Sequence, residues 1–113
     1  MKLQEQQQRF AHMLALLILK ANEMGFEVTL GEAYRPQFVA DIYASQGKGV
    51  KSSFHTKRLA IDLNLFKDGV YLTKTEDYRP LGEWWLKEYA PMSAWGGLWQ
   101  DYVHFSFEHD GRK

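Results

Sequence analysis

An α+β fold, a small antiparallel sheet with flanking helices, is what the sequence predicts, and three observations predict it. Phe10, Met13, Leu14, Leu17, Ile18 and Ala21 recur at three- and four-residue steps, the period of a helix with one apolar face. Phe26–Leu30, Leu59–Phe66 and Tyr102–Phe107 alternate apolar with polar residues, as strands with one buried face do. Asp68-Gly69 stands between two apolar stretches, and that dipeptide marks a tight hairpin between antiparallel strands.

The elements follow in order. The first helix is expected from about Leu3 to Met24, with Gly25 as its terminator. The strand from Phe26 runs on toward Ala33-Tyr34-Arg35 until Pro36, which ends it and can open a helix. Phe38, Val39, Ile42 and Tyr43 give Gln37–Ser45 helical spacing, followed by a mobile loop from Gln46. Alternation places Leu59, Ile61, Leu63 and Leu65 on one face of the next strand, and Ala60, Asp62 and Asn64 on the other. The strand folds back through Tyr71-Leu72, after which Thr75 or Asp77 can cap a helix. Pro80–Ala90 is rich in helix formers and stops at Pro91. Trp95-Gly-Gly breaks regular structure, and Tyr102, His104 and Ser106 share a face of the last strand. The tail from Glu108 is expected to fray.

Composition narrows the function. A chain of 113 residues, 45% hydrophobic and 25% charged, suits one globular domain. Fourteen basic and fourteen acidic side chains cancel, so no net field attracts nucleic acid or an anionic membrane. Without cysteine, disulfides, thiolate nucleophiles and cysteine-held zinc are excluded, and any metal must bind His, Asp or Glu. The apolar run Met13–Leu19 is too short to span a bilayer, and Lys20-Ala-Asn-Glu continues a helix where a secretory signal needs a cleavage site. A monomer made in the cytoplasm, without stable membrane association, is expected.

Two clusters carry chemistry. Ser52-Ser53-Phe54-His55 precedes Asp62 by seven residues, and Asp101-Tyr-Val-His104 sits where a glycine-rich turn enters the last strand. Either histidine alone would be an ordinary hydrogen-bonded side chain; it is the combined spacing that points to a metal. Catalytic zinc takes three protein ligands and leaves the fourth position to water, for which His55, Asp62 and His104 are the candidates. Asp101, three residues before His104, is then the candidate general base. His12 and His109 have no carboxylate at ligand spacing, and the four tryptophans are expected in the core rather than at substrate.

Ser53-Phe-His55-Thr-Lys-Arg-Leu-Ala-Ile-Asp62 and Trp95-Gly-Gly-Leu-Trp-Gln-Asp101-Tyr-Val-His104 resemble the two signatures of the zinc D-Ala-D-Ala carboxypeptidase and L-alanyl-D-glutamate endopeptidase family. That family has the hedgehog/DD-peptidase fold and includes compact bacteriophage endolysins and vancomycin-resistance dipeptidases. The resemblance covers nearly the whole chain. It implies a Zn2+ cofactor and a single catalytic domain over residues 1–113, with no separate wall-binding domain. It also implies a substrate in the peptide stem of bacterial peptidoglycan, cut between L-Ala and D-Glu after release through a permeabilised membrane. Gly31-Glu-Ala-Tyr-Arg35 is similar to a further family element whose arginine binds the substrate carbonyl, a role that passes to Arg35. Ser53 is a candidate to hydrogen-bond substrate or a ligand. Many relatives carry glycine where this chain has Arg58. The rival readings are a D-Ala-D-Ala carboxypeptidase or dipeptidase, and a non-catalytic hedgehog-like zinc-binding module; the presence of Asp101 argues against the second.

Overall fold

The computed structural model describes residues 2–48 and 53–108. Helix α1, Leu3–Glu23, ends as Gly25 takes a positive φ of 94°. The Phe26 N–H then reaches the Ala21 carbonyl and the Gly25 N–H that of Asn22, closing the last turn in the way glycine allows. Strand β1, Glu27–Leu30, leads into an irregular segment, then helix α2, Gln37–Ser45. A short 3₁₀ turn, Phe54–Lys57, precedes strand β2, Ala60–Lys67, which folds through Asp68-Gly69 into β3, Val70–Tyr71. Helix α3 covers Thr75–Glu88, strand β4 Ser93–Trp95, a second 3₁₀ turn Gly96–Trp99, and strand β5 His104–Phe107.

The sheet runs β1-β2-β5-β4, with β3 also paired to β2, and every pairing is antiparallel. The predicted α+β class holds. Leu59, Ile61, Leu63 and Leu65 are all buried and pack in one core with residues of α1 and α3, as the alternation requires. Phe10 of α1 meets Phe107 edge-on at 5.4 Å, and Trp85 of α3 stacks on Phe107 at 5.2 Å. Such aromatic contacts supply much of the apolar burial that stabilises a small domain. Tyr78 ties α3 to the sheet: its hydroxyl accepts from the Leu65 N–H and donates to the Leu72 carbonyl, both at 3.0 Å.

Besides the last strand, which starts at His104 rather than Tyr102, four features differ from the sequence reading. β1 stops at Leu30, although Gly31 and Glu32 still exchange backbone hydrogen bonds with Asp62 at 2.7 and 2.9 Å. α3 starts at Thr75, with Pro80 inside it; the Asp77 carboxylate accepts the Lys74 N–H at 3.3 Å and settles the first turn. β4 was not foreseen, because a three-residue strand buried throughout shows no alternation. Glu108, expected to begin a frayed tail, is tied at both ends, its N–H to the Met92 carbonyl and its carbonyl to Gln6. Residues 49–52 of the expected loop, and the tail beyond Glu108, lie outside the described residues.

The indole of Trp95 is clamped between two glycines. A Cβ on Gly82 would lie 2.2 Å from the ring and one on Gly97 2.1 Å, so α3 and the turn after β4 approach only because neither has a side chain. We expect Gly82→Ala to cost about 1–3 kcal/mol by overpacking, read as a lower urea midpoint with an unchanged slope.

Candidate metal centre

Asp62 of β2 and His104 of β5 are directly paired across the antiparallel ladder, so their side chains leave the same face, opposite the helices. His55 reaches them from the 3₁₀ turn before β2. Its Nε2 lies 3.2 Å from Asp62 Oδ1, and His104 Nδ1 lies 3.8 Å from the same oxygen. One potential ligand atom from each residue falls within a 4.8 Å group. A tetrahedral ion with bonds near 2.1 Å separates its ligands by about 3.4 Å, so a metal fits with small side-chain adjustments.

The donor chemistry points the same way. His55 Nδ1 is 3.0 Å from the Ala33 carbonyl oxygen, an acceptor that can only be met by an N–H, so neutral His55 presents a bare lone pair at Nε2. That lone pair faces Asp62 Oδ1, which is buried and receives no hydrogen bond among the described residues. Two acceptors converging on one point are costly unless a proton or a cation lies between them. Among the described residues, His55, Asp62 and His104 thus could hold a metal ion.

Local structure fixes each ligand. The Ser53 hydroxyl accepts the His55 N–H at 3.2 Å and its carbonyl accepts from Thr56, so this buried serine caps the turn and supports His55 from behind. Arg58 closes the turn at φ 57°, the left-handed region that suits glycine, and its guanidinium rests 4.2 Å from the centre of the Tyr34 ring. Arginine therefore keeps the backbone angle that was expected of glycine. Gly96 admits the acidic turn: a Cβ there would lie 2.1 Å from the Asp101 carbonyl oxygen and 2.8 Å from His104 Cβ. The Asp101 N–H donates to the Gly96 carbonyl at 2.8 Å and the His104 N–H to that of Asp101 at 3.1 Å, presenting both side chains to one space.

Asp101 Oδ2 stands 3.9 Å from His104 Nδ1, beyond hydrogen-bond reach, and half of its side chain is open to solvent. Burial, then the charge of Asp62, raise its pKa above the usual carboxylate value, against His55 and Arg35. Burial and the neighbouring His55 press His104 down to about 4, leaving a neutral imidazole able to ligate at pH 7. For His55, burial disfavours the cation, but the bond that a protonated Nε2 would make to Asp62, the charge of Asp62, the Ala33 carbonyl and Glu32 together outweigh it and raise the pKa.

Arg35, expected at the substrate, is mostly buried beside this group and bound to Glu32: its Nε donates to Glu32 Oε1 at 2.8 Å, and a terminal nitrogen donates to the same oxygen. Glu32 and Ala33 lie in the Gly31–Arg35 stretch singled out in the sequence, but only Arg35 takes a role there. Of the tryptophans, Trp85 and Trp95 are core as expected, whereas Trp99 is half exposed with its ring centre 5.9 Å from that of His104. His12 is exposed on α1, and His109 lies outside the described residues.

Residues 46–107 match the family described as D-alanyl-D-alanine carboxypeptidase. The chain belongs to that peptidase family. The matched stretch contains His55, Asp62, Asp101 and His104; Arg35 lies ahead of it. The chain is also similar in structure to an L-Ala D-Glu endopeptidase, ChiX, from Serratia marcescens, with a TM-score of 0.56 and 21% identity over 72% of this chain. That likeness shows the shared fold, and it spans 66% of the ChiX chain, just under two thirds of its length. A search of curated proteins finds no match. No helix among the described residues is long and apolar enough to cross a membrane.

A metal ion held by these residues would compete with a proton for the space between His55 Nε2 and Asp62 Oδ1. Affinity should therefore weaken as pH falls from 8 to 6, because His55, with its raised pKa, is claimed first and binding must release that proton. Zinc titrations at both values check this; equal affinity would contradict it. Saturating zinc should also raise the melting temperature and a chelator reverse the rise, and His55→Ala should abolish both effects.

Proposed function

We propose that this peptidase is a zinc enzyme that hydrolyses the peptide stem of bacterial peptidoglycan, most readily between L-Ala and D-Glu. The observation that carries the reading is the convergence of His55, Asp62 and His104 on one point, with the half-exposed carboxylate of Asp101 beside it. When bound, zinc supplies Lewis acidity and lowers the pKa of water. Asp101, with its pKa raised above the usual carboxylate value by burial and by the charge of Asp62, accepts the proton of the attacking water and returns it to the leaving amine. Arg35 offsets the negative charge that grows on the carbonyl oxygen. Trp99 and the exposed Leu98 offer an apolar wall beside the reacting bond.

The choice of bond rests on charge. A carboxypeptidase must hold a free terminal carboxylate, and among the described residues Arg35, which borders the site, has one edge on Glu32 and its other donors assigned to the reacting carbonyl. An internal bond makes no such demand, and the structurally similar ChiX is itself an L-Ala D-Glu endopeptidase. Action on the wall of a cell whose membrane has been permeabilised belongs to the same proposal.

Purified peptidoglycan fragments incubated with zinc-loaded protein should yield new L-Ala carboxyl ends and D-Glu amino ends by mass spectrometry. Asp101→Asn should lower the rate about 10²–10⁴-fold while still binding zinc. Release of terminal D-Ala would make the enzyme a carboxypeptidase; zinc binding without any cleavage would make it a binding module.

A further inference from the structure

Arg35 has a problem of choice. Its segment is hydrogen-bonded to both His55 and Asp62, and a guanidinium on a flexible stem is drawn to any carboxylate within reach. Pairing with Asp101 would silence the base; pairing with Asp62 would occupy a ligand. Glu32 stands where it can prevent either. Its Oε1 takes the Arg35 Nε–H and a second N–H from the same edge of the guanidinium, while the Tyr43 ring lies 5.1 Å from the guanidinium carbon. The Arg35 backbone N–H donates to the His55 carbonyl at 3.0 Å, and the Glu32 carbonyl accepts the Asp62 N–H at 2.9 Å. The segment that carries both residues is thus fastened to two of the candidate metal ligands.

We propose that Glu32 is a positioning residue: its carboxylate holds one edge of the Arg35 guanidinium, keeping the remaining N–H donors for the substrate carbonyl and away from Asp62 and Asp101. The proposal rests on the peptidase reading above. The Glu32 side chain is 30% exposed and its backbone bond to Asp62 survives substitution, so the fold is retained in its variants; because its Oε1 also lies 3.8 Å from His55 Nδ1, zinc content is measured beside activity, and the neutral Glu32→Gln separates that charge from the hold on Arg35.

Two measurements test it. In a double-mutant cycle on stem-peptide hydrolysis, Glu32→Ala should lower kcat/KM by about 10–100-fold, mainly through kcat, since small misplacements at a reacting centre cost about that much. Zinc content should not change. Arg35→Ala should be at least as damaging, and the double variant no worse than Arg35→Ala alone. Glu32→Gln, whose amide oxygen still accepts from Nε, should recover part of the loss. Independently of activity, the Arg35 Nε–H should be slow to exchange with water by NMR in the wild type and fast in Glu32→Ala. Multiplicative losses in the cycle, or an Nε–H equally protected in Glu32→Ala, would overturn the proposal. A wild type that cleaves no stem peptide would overturn the peptidase reading, and the exchange measurement would then decide the hold of Glu32 on Arg35 alone.

Discussion

The pairing of Asp62 with His104 across β2 and β5 is the constraint on which the site depends. Side chains alternate along a strand, so a slip of one residue would turn His104 into the core and bring Phe105 to the open face. The packing forbids it: Ile61 and Phe105, the next pair along, are both fully buried against the helices. The same contacts that stabilise the fold thereby set two candidate metal-binding side chains opposite each other. His55 needs only a short turn before β2 to join them.

Several of the supports around the three residues are backbone or small side chains. The Ala33 carbonyl selects the His55 tautomer, the Ser53 hydroxyl caps its turn, and Gly96 makes room for the Asp101 carbonyl. Supports of this kind orient metal ligands and commonly matter nearly as much as the ligands. They also explain an otherwise costly arrangement: a buried carboxylate oxygen facing an imidazole lone pair persists because rigid neighbours hold both and because a cation can satisfy them together. The opposed pKa shifts of the two histidines have the same origin. His55 feels Asp62 at hydrogen-bond distance, whereas His104 is dominated by burial and by His55.

Much of this was legible in the sequence because it follows from local periodicity. Alternation in Leu59–Phe66 placed Asp62 on the face opposite the core, and the spacing of Asp101 and His104 about a glycine-rich turn put them together. Less local features were hidden. Ser93–Trp95 forms a strand only by pairing with β5. The early start of α3 rests on Asp77 reaching back to Lys74, which outweighs the usual reading of Pro80 as a helix opening. Glu32 looked like an ordinary strand residue, since its meaning comes from Arg35 and Asp62, residues that the fold brings to it. Arg58 departs from the residue expected at its position yet keeps the conformation, helped by stacking on Tyr34.

The central claim is that one ion binds between His55 Nε2, Asp62 Oδ1 and His104 Nδ1, with Asp101 nearby and uncoordinated. Anomalous diffraction at the zinc absorption edge, on crystals grown with zinc, tests it most directly. The account predicts a single strong peak about 2.0–2.2 Å from each of those three atoms, with the Asp101 carboxylate outside bonding distance. A peak elsewhere, or one ligated by Asp101 in place of Asp62, would contradict it.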